Sequence, residues 1–472
     1  MTYEIKADRS QTFLLPPSLE DWIPSDHPVR FIDAFVRSLD LQKMGFEQGH
    51  APTGRPSFSA ELLLSVICFC YFSRIRTLRG MEQACHDNMA VLWLTGNQHP
   101  DHNTIWLFFR NNREAIRKLL KQSVRVAAAS DLVGMVLYAV DGTKIQAQGS
   151  TRTASYRKKL SKALERVDAS IEEMENNLST SWETGLGTYV LPEGMSDKKA
   201  LKEVILQKLE ELDQAETDSL QPSDPDAKIM KCDGRKVFAY NAQAVTDAKN
   251  GIVIAGDVIT NQNDQGMLAP MINMVKENTG GVAETTLGDK GYSAGEDLAE
   301  AQAKGYNVLV NLKKDVNPED NEKLFCASRF EYDPEEDCCI CPLGKKLKFQ
   351  RIAKDKKRKT TRRVYHCSGY KECPQRWNCS KNKRGRTVGL SEHHLALADQ
   401  RQKQKDPDAR AMLRRRPVIV EPTFAFTKEA LLFRRWTQRT VEGAKTQWAL
   451  MCTTVNLRKL YLAWLNGEVD LA

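Results

Sequence analysis

Asp141 follows the apolar run Leu137, Tyr138, Ala139, Val140 and precedes Gly142, while Asp289 follows Leu287 and stands between Gly288 and Gly291. A short run of β-formers bounded by glycine predicts an interior strand, and an acid at its carboxyl end must face water, a partner cation or a metal. The plainer reading of either position is an Asx turn, because Asp-Gly is a common turn dipeptide. Two acids placed alike argue for more. On neighbouring strands their carboxylates would repel, and both stay ionised only with a cation between them. Few protein ligands, several waters and substrate phosphates are how Mg²⁺ is held. The stretch "RRPVIVEPTFAFTKEALLFRRW" offers a third acid, Glu421, with Lys428 seven residues on, two turns along one face of a helix. Glu442 in "RTVEGAK" is the rival third acid.

The cysteines suggest a second centre. Of twelve, seven (Cys326, Cys338, Cys339, Cys341, Cys367, Cys373 and Cys379) fall between the second acid and the third, beside His366. Thiolates crowded at loop tips favour a structural Zn²⁺ site, with Cys341, Cys367, Cys373 and Cys379 the preferred ligands and Cys339 in reserve. Their spacing is irregular, without a pair of CxxC knuckles, so plain reduced cysteines remain the other reading. Cys68, Cys70, Cys85, Cys232 and Cys452 read as core residues.

Charge is concentrated in the same region. From Lys345 to Arg416 there are 24 Lys plus Arg against 6 Asp plus Glu, a local net of +18 in a chain of net +8, so the remainder is acidic. A solvated loop would carry such a run. A footprint for a phosphate backbone explains it better, and it nominates Arg358, Lys359, Arg362, Arg363, Lys381, Lys383 and Arg384.

Several elements must position these groups. Residues 55 to 130 read as helical, with Leu62, Leu63, Val66, Ile67 and Phe72, then Met81, Ala84, Leu92, Trp93 and Leu94, at three- and four-residue spacing. In "HPDHNTIWLFFRNNREAIRKLL", Asp101 or Asn103 would cap a helix carrying Ile105, Phe108 and Phe109, with Arg110, Arg113 and Arg117 available to a partner. That pattern fits a helix-turn-helix-like DNA binder and, almost as well, a plain helical bundle. Leu160, Leu164, Val167, Ile171, Met174 and Leu178 form a heptad stripe, answered after a Gly-rich turn by Leu201, Ile205, Leu209 and Leu212. An antiparallel helical hairpin follows, its stripes forming mainly their own core, with a dimer contact as the second reading. "KVFAYNAQAVTD" and "GIVIAGDVIT" predict a β-hairpin across "AKNG", then a helix, then strand, turn, helix, strand through "GDKGY".

The 472 residues at 41% hydrophobic suffice for two or three domains. The longest apolar stretches are too short to cross a bilayer and the amino terminus carries no secretion pattern, so a cytoplasmic place without a membrane partner is expected.

Taken in order, "LLPPSLEDWIPSDHPVRFIDAFV", "PDHNTIWLFFR", "VDGTKIQA", "YNAQAVTDAKNGIVIAGDVITNQNDQGMLAP", "GDKGY" and "VEPTFAFTK" with "NLRKL" resemble the DDE transposases of bacterial insertion sequences, over nearly the whole chain. The resemblance implies an α/β fold: a ribonuclease-H-like catalytic core with an N-terminal all-α domain. It implies a DNA-binding domain over 1–130 and a catalytic domain over 131–472, interrupted by a helical hairpin at 152–225 and a cysteine-rich basic segment at 316–412. The acidic triad then falls on Asp141, Asp289 and Glu421, holding Mg²⁺ (or Mn²⁺), with Lys428 at the phosphate beside the scissile bond. Cleavage at the element's ends and strand transfer into target DNA would need no covalent protein intermediate. Double-stranded DNA is the implied partner, bound by a homodimer or larger multimer. One departure stands out: the family often has Tyr and Arg upstream of the glutamate, whereas here Arg416 lies five residues before it and Pro417 four. A hydrolytic nuclease using the same acids, or a transposon-derived DNA-binding protein, are the alternatives.

Overall fold

The computed structural model describes residues 18–47, 56–149, 154–183, 194–312, 325, 329–355 and 360–471. Seven helices come first: α1 (Pro28–Arg37), α2 (Leu41–Met44), α3 (Ala60–Phe72), α4 (Leu78–Asp87), α5 (Met89–Thr95), α6 (His102–Asn111) and α7 (Arg113–Ala129). Their starts are written in the sequence. Ser59 caps α3 by accepting from Leu62 N at 3.2 Å, Asn88 caps α5, and Asp101 caps α6 by accepting from Thr104 N at 2.7 Å. α3 is apolar on all sides and buried on nearly all of them, so the other helices gather round it.

The chain then enters a mixed sheet. β1 (Leu137–Gln146) leads through β2 (Ser155–Tyr156), α8 (Arg157–Glu183), α9 (Met195–Gln214) and β3 (Ser219–Leu220) to β4 (Lys228–Cys232), β5 (Arg235–Asp247) and β6 (Val253–Ile259). α10 (Leu268–Thr279), β7 (Thr285–Gly288), α11 (Gly295–Ala303) and β8 (Val308–Val310) follow. The strand order is β4-β5-β1-β7-β8, with β6 also on β5. β5 runs antiparallel to β1, β4 and β6, whereas β7 is parallel to β1 and β8 to β7. Tyr138, Ala139 and Val140 are fully buried, as an unbroken apolar run in a covered strand requires.

One expectation is corrected here. β1 does not end at Asp141; it continues to Gln146, paired residue by residue with β5. What stops at this level is the pairing with β7, whose last residue is Gly288.

α8 and α9 pack together as the heptad stripes predict, with Ile171, Ile205 and Leu212 buried, but Leu201 is 49% exposed and lies outside their seam. The side chain of Leu178 lies outside the described residues.

The basic cysteine-rich stretch is folded. β9 (Glu331–Asp333), β10 (Cys338–Ile340), β11 (Lys346–Asp355), β12 (Thr360–His366) and β13 (Thr387–Ser391) form a five-stranded antiparallel sheet, with a four-residue helix α12 (Arg376–Cys379) between the last two strands. It has its own small core of Phe325, Phe330, Cys339, Leu347, Tyr365 and Val388.

Three helices complete the chain: α13 (His394–Lys403), α14 (Pro407–Ala425) and α15 (Thr440–Leu465). α14 lies against β1, β5, β7 and β8, and α15 packs on β6, α7, α3 and α1. Buried residues from Ile23 to Val469 therefore join in one hydrophobic cluster, and Cys68, Cys70, Cys85 and Cys452 lie within it as expected. No helix among the described residues is long and apolar enough to cross a membrane.

Candidate active site

Asp141 and Asp289 stand at the same level of neighbouring parallel strands, because the β1–β7 register pairs Tyr138 with Thr286 and Ala139 with Leu287. Each carboxylate is steadied by a backbone donor, Gly142 N on Asp141 Oδ1 at 2.8 Å and Gly291 N on Asp289 Oδ1 at 2.6 Å. Asp289 caps the short helical turn Lys290–Tyr292. Burial pushes the Asp141 carboxyl above the usual carboxylate range; Arg416 pulls it down, and Asp289 adds to the upward push.

The third acid arrives on α14. Arg416 Nη1 lies 2.8 Å from Asp141 Oδ2 and Arg416 Nη2 lies 3.6 Å from Glu421 Oε1, so one guanidinium joins the strand acid to the helix acid. Glu421 keeps 60% of its side chain exposed. The rival, Glu442, in the first turn of α15, is held by α7: it pairs with Arg117 Nη2 at 2.5 Å, which also donates to Glu442 O at 2.9 Å. The two-turn spacing of Glu421 and Lys428 is broken by a π turn over Phe426–Ala430, where Leu431 N reaches back five residues to Phe426 O at 2.9 Å. Lys428 pairs instead with Asp233 in the β4–β5 turn, at 3.3 Å.

A fourth acid belongs to this cleft, and sequence reasoning missed it. Asp264 Oδ1 accepts from Gln243 Nε2 at 2.7 Å, from Asn241 Nδ2 at 2.8 Å and from Lys144 Nζ at 3.3 Å. Gln243 in turn accepts from the buried Tyr292 hydroxyl. A Cβ at Gly142 would lie 2.2 Å from Gln243 Nε2 and 2.7 Å from Asp264 Oδ1, and one at Gly291 would meet Asp289 Oδ1 and Asp264 Oδ2 within 3 Å. Glycine is required at both positions for room. The available signal was the two amides at alternate positions of an otherwise apolar strand, "YNAQA", since fully buried amides demand partners.

The donor set, carboxylate oxygens of which those of Asp141 and Asp289 are half-buried, suits a hard divalent cation, and Arg416 is the positive charge that faces two of them here. The oxygens of Asp141, Asp289 and Glu421 do not all lie within 4.8 Å of one another; among the described residues such a group is formed by Asp333, Glu336 and Cys338 on the small sheet.

The four preferred cysteines come together at one end of that sheet. Cys341, Cys367 and Cys379 pack on its core. Burial raises the Cys367 thiol, with further upward pushes from Cys341 and Cys373, and burial also raises Cys379, opposed by Arg386 and reinforced by Cys367, Cys373 and Cys341. No three of these sulfurs lie within 4.8 Å. Cys339 is buried in the core at a pKa pushed up to about 12 by burial, and Cys326 lies outside the described residues.

The basic residues are dispersed around the same sheet. Arg362 is exposed on β12; Arg363 pairs with Asp337 at 2.5 Å and covers Phe349; Lys381, Lys383 and Arg384 are exposed on the loop after α12. Arg358 and Lys359 lie outside the described residues. Arg110 is exposed on α6, its guanidinium 5.1 Å above the Trp106 ring.

Comparison with known families gives two matches. Residues 340–461 match the family model described as a transposase DDE domain, and residues 17–111 match that of a transposase domain (DUF772). The first span contains Glu421, Lys428 and the four cysteines; neither contains Asp141 or Asp289. No curated protein matches the chain.

Proposed function

We propose that the chain is a DDE transposase of the insertion-sequence type, one of the enzymes whose general activity is metal-dependent DNA cleavage and strand transfer, with Asp141, Asp289 and Glu421 as its acidic triad; the two transposase-domain matches support the reading. The observation that carries the reading is the level placement of Asp141 on β1 and Asp289 just after β7, with Glu421 tied to Asp141 through Arg416. The strand order β6-β5-β1-β7-β8, three antiparallel and then two parallel, supports a ribonuclease-H-like core over 131–472. In that reading residues 1–130 form the DNA-binding domain, and the α8–α9 hairpin (152–225) and the small sheet (316–412) are insertions.

Asp141, Asp289 and Glu421 would hold divalent ions, Mg²⁺ or Mn²⁺. When bound, such ions polarise the phosphodiester and lower the pKa of an attacking water or 3′ hydroxyl. The chain's own residues do the rest. Arg416 keeps the Asp141 and Glu421 carboxylates facing each other, and Gly142 and Gly291 let the Gln243 amide and the Asp264 and Asp289 carboxylates close in on the backbone. Asp264 fixes the amides of β5 behind the acids. Lys428, one side chain from Asp233, would move to a phosphate when DNA displaces that pair. Arg110, Arg358, Lys359, Arg362, Arg363, Lys381, Lys383 and Arg384 would contact the backbone of transposon ends and target, in a homodimer or larger multimer, in the cytoplasm. Zn²⁺ held by Cys341, Cys367, Cys373 and Cys379 would pin the loops of the small sheet.

The test separates chemistry from binding. Asp141→Asn, Asp289→Asn and Glu421→Gln should each cut Mg²⁺-dependent cleavage and strand transfer by at least about a hundred-fold while leaving affinity for terminal DNA within about two-fold. Cleavage by Asp141→Asn at the normal rate would refute the triad. Cleavage without strand transfer by the native protein would make it a nuclease, and binding without either a DNA-binding relic.

A further inference from the structure

The most exposed aromatic ring among the described residues is Trp377, at 64%, in the middle of α12. It is neither part of the small sheet's core nor loose. The Arg376 guanidinium lies 4.7 Å from the Trp377 ring and 5.1 Å from the Tyr370 ring, and Arg376 Nη2 donates to Lys383 O at 3.3 Å. The loop that follows is built: Asn382 N donates to Ser380 Oγ at 3.2 Å, Arg384 N to Asn382 Oδ1 at 2.9 Å, and His366 Nε2 to Arg384 O at 2.6 Å. One cation thus ties two aromatic rings to a loop that presents Lys381, Lys383 and Arg384 to solvent.

We propose that Trp377 is a stacking platform for an unpaired nucleobase of the DNA substrate, a reading that rests on the basic sheet being a DNA-binding surface. Residues 371 to 386 contain six Lys or Arg and one acid. An apolar protein partner would have to desolvate those cations, whereas a nucleobase brings its own phosphates to them. Base faces are hidden inside a duplex, so a single exposed indole has a stacking partner only where pairing is broken, at a frayed end, a gap or a strand-transfer junction. Arg376 sets the ring's orientation before DNA arrives, which limits the ordering cost of stacking.

The experiment uses the full chain and two DNAs of one sequence, a complete duplex and a duplex with a short gap containing 2-aminopurine. Binding should quench the 2-aminopurine emission. Trp377→Ala should abolish the quenching and lower the gapped-to-duplex affinity ratio about ten-fold, while Trp377→Phe keeps both within about three-fold, with circular dichroism unchanged in each. A persisting ratio and quench in Trp377→Ala overturns the proposal, as does a change of oligomer size with no change in the ratio. The underlying surface is tested apart, by Lys381→Gln, Lys383→Gln and Arg384→Gln together. If this variant binds duplex as before, the basic surface fails whatever Trp377 does; if it weakens both DNAs alike while Trp377→Ala changes nothing, stacking alone fails.

Discussion

Arg416 carries more of the site than its spacing in the sequence suggested. With only 12% of its side chain exposed, it cannot be neutralised by solvent, and two carboxylates share its charge. Asp264 is its counterpart on the other side of the cleft, one acceptor oxygen serving two amides and an ammonium. Asp264→Ala should therefore take one acceptor from each of Asn241 Nδ2 and Gln243 Nε2, which keep only Asn261 O and Asn241 Oδ1, and cost about 1–3 kcal/mol, read as a lower urea midpoint at constant slope. Asp264→Asn keeps an acceptor and should lose less. Equal stability of Asp264→Ala and native protein would show that the network does not hold the site. The level placement of Asp141 and Asp289 was readable because each follows an apolar run; the place of Asp264 beside them was not, because it sits among polar turn residues, "NQNDQG", where an acid is commonplace.

Among the elements, the loop that bears Asp264 is anchored from α11. Asp297 Oδ2 accepts from Gly266 N at 2.6 Å, and burial, opposed by that bond and reinforced by Glu300 and Glu296, pushes its pKa up to about 6. An acid whose folded pKa lies above its unfolded value of about 3.9 binds its proton more tightly in the native state, so stability falls as pH rises from about 4 to about 6 and stays low above that. Asp297→Asn removes this loss. It should stabilise the protein by on the order of 2 kcal/mol near pH 7.5 and by little near pH 4, measured by denaturant unfolding at both values. A gain that is the same at both would assign the effect to something other than ionisation. Several elements were legible for plain reasons: apolar periodicity marked α3, α6 and the β5–β6 hairpin, and Asp101 marked the start of α6. The second half of β1 was hidden because "DGTK" has no apolar period and is kept extended by β5 alone. The small sheet was hidden by its charge. In "KLKFQRIAKD" lysine and arginine occupy the outward positions around buried Leu347, and the β-bulge between Phe349 and Arg351 breaks the alternation.

For the whole molecule, the small sheet is the part whose core is its own, and its stability should depend on what the cysteines hold. Protein purified without chelator should contain about one zinc per chain, and the metal should draw the sulfurs of Cys341, Cys367, Cys373 and Cys379 nearer than they stand now, to ligand distances of about 2.3 Å. Chelation should open this sheet to proteolysis between Ile340 and His366 and leave the central sheet intact. A metal-free protein with the same protease pattern would count against zinc. Because the charge lies on this sheet and the acids on the other, Lys381→Gln with Lys383→Gln and Arg384→Gln should also flatten the salt dependence of DNA binding, by about 0.9 in log-log slope for each phosphate left unneutralised. Cleavage per bound complex should not change, as a salt titration beside a saturating-protein cleavage assay would show.

The packing of α15 bears on how the molecule is made. Tyr461 donates to Asp26 O at 2.8 Å, Gln447 reaches the Tyr71 hydroxyl at 3.1 Å, and Asn456 Nδ2 joins Ser123 Oγ at 3.1 Å. The earlier helices thus find their covering partner in α15, across more than three hundred residues of intervening chain. Closing so long a loop must precede any reward from the packing it brings about, which slows the final step of folding. Until residue 465 has left the ribosome, α3 and α7 expose the apolar faces that α15 will cover, so the interval of synthesis itself is when this protein is most exposed to aggregation and to chaperones.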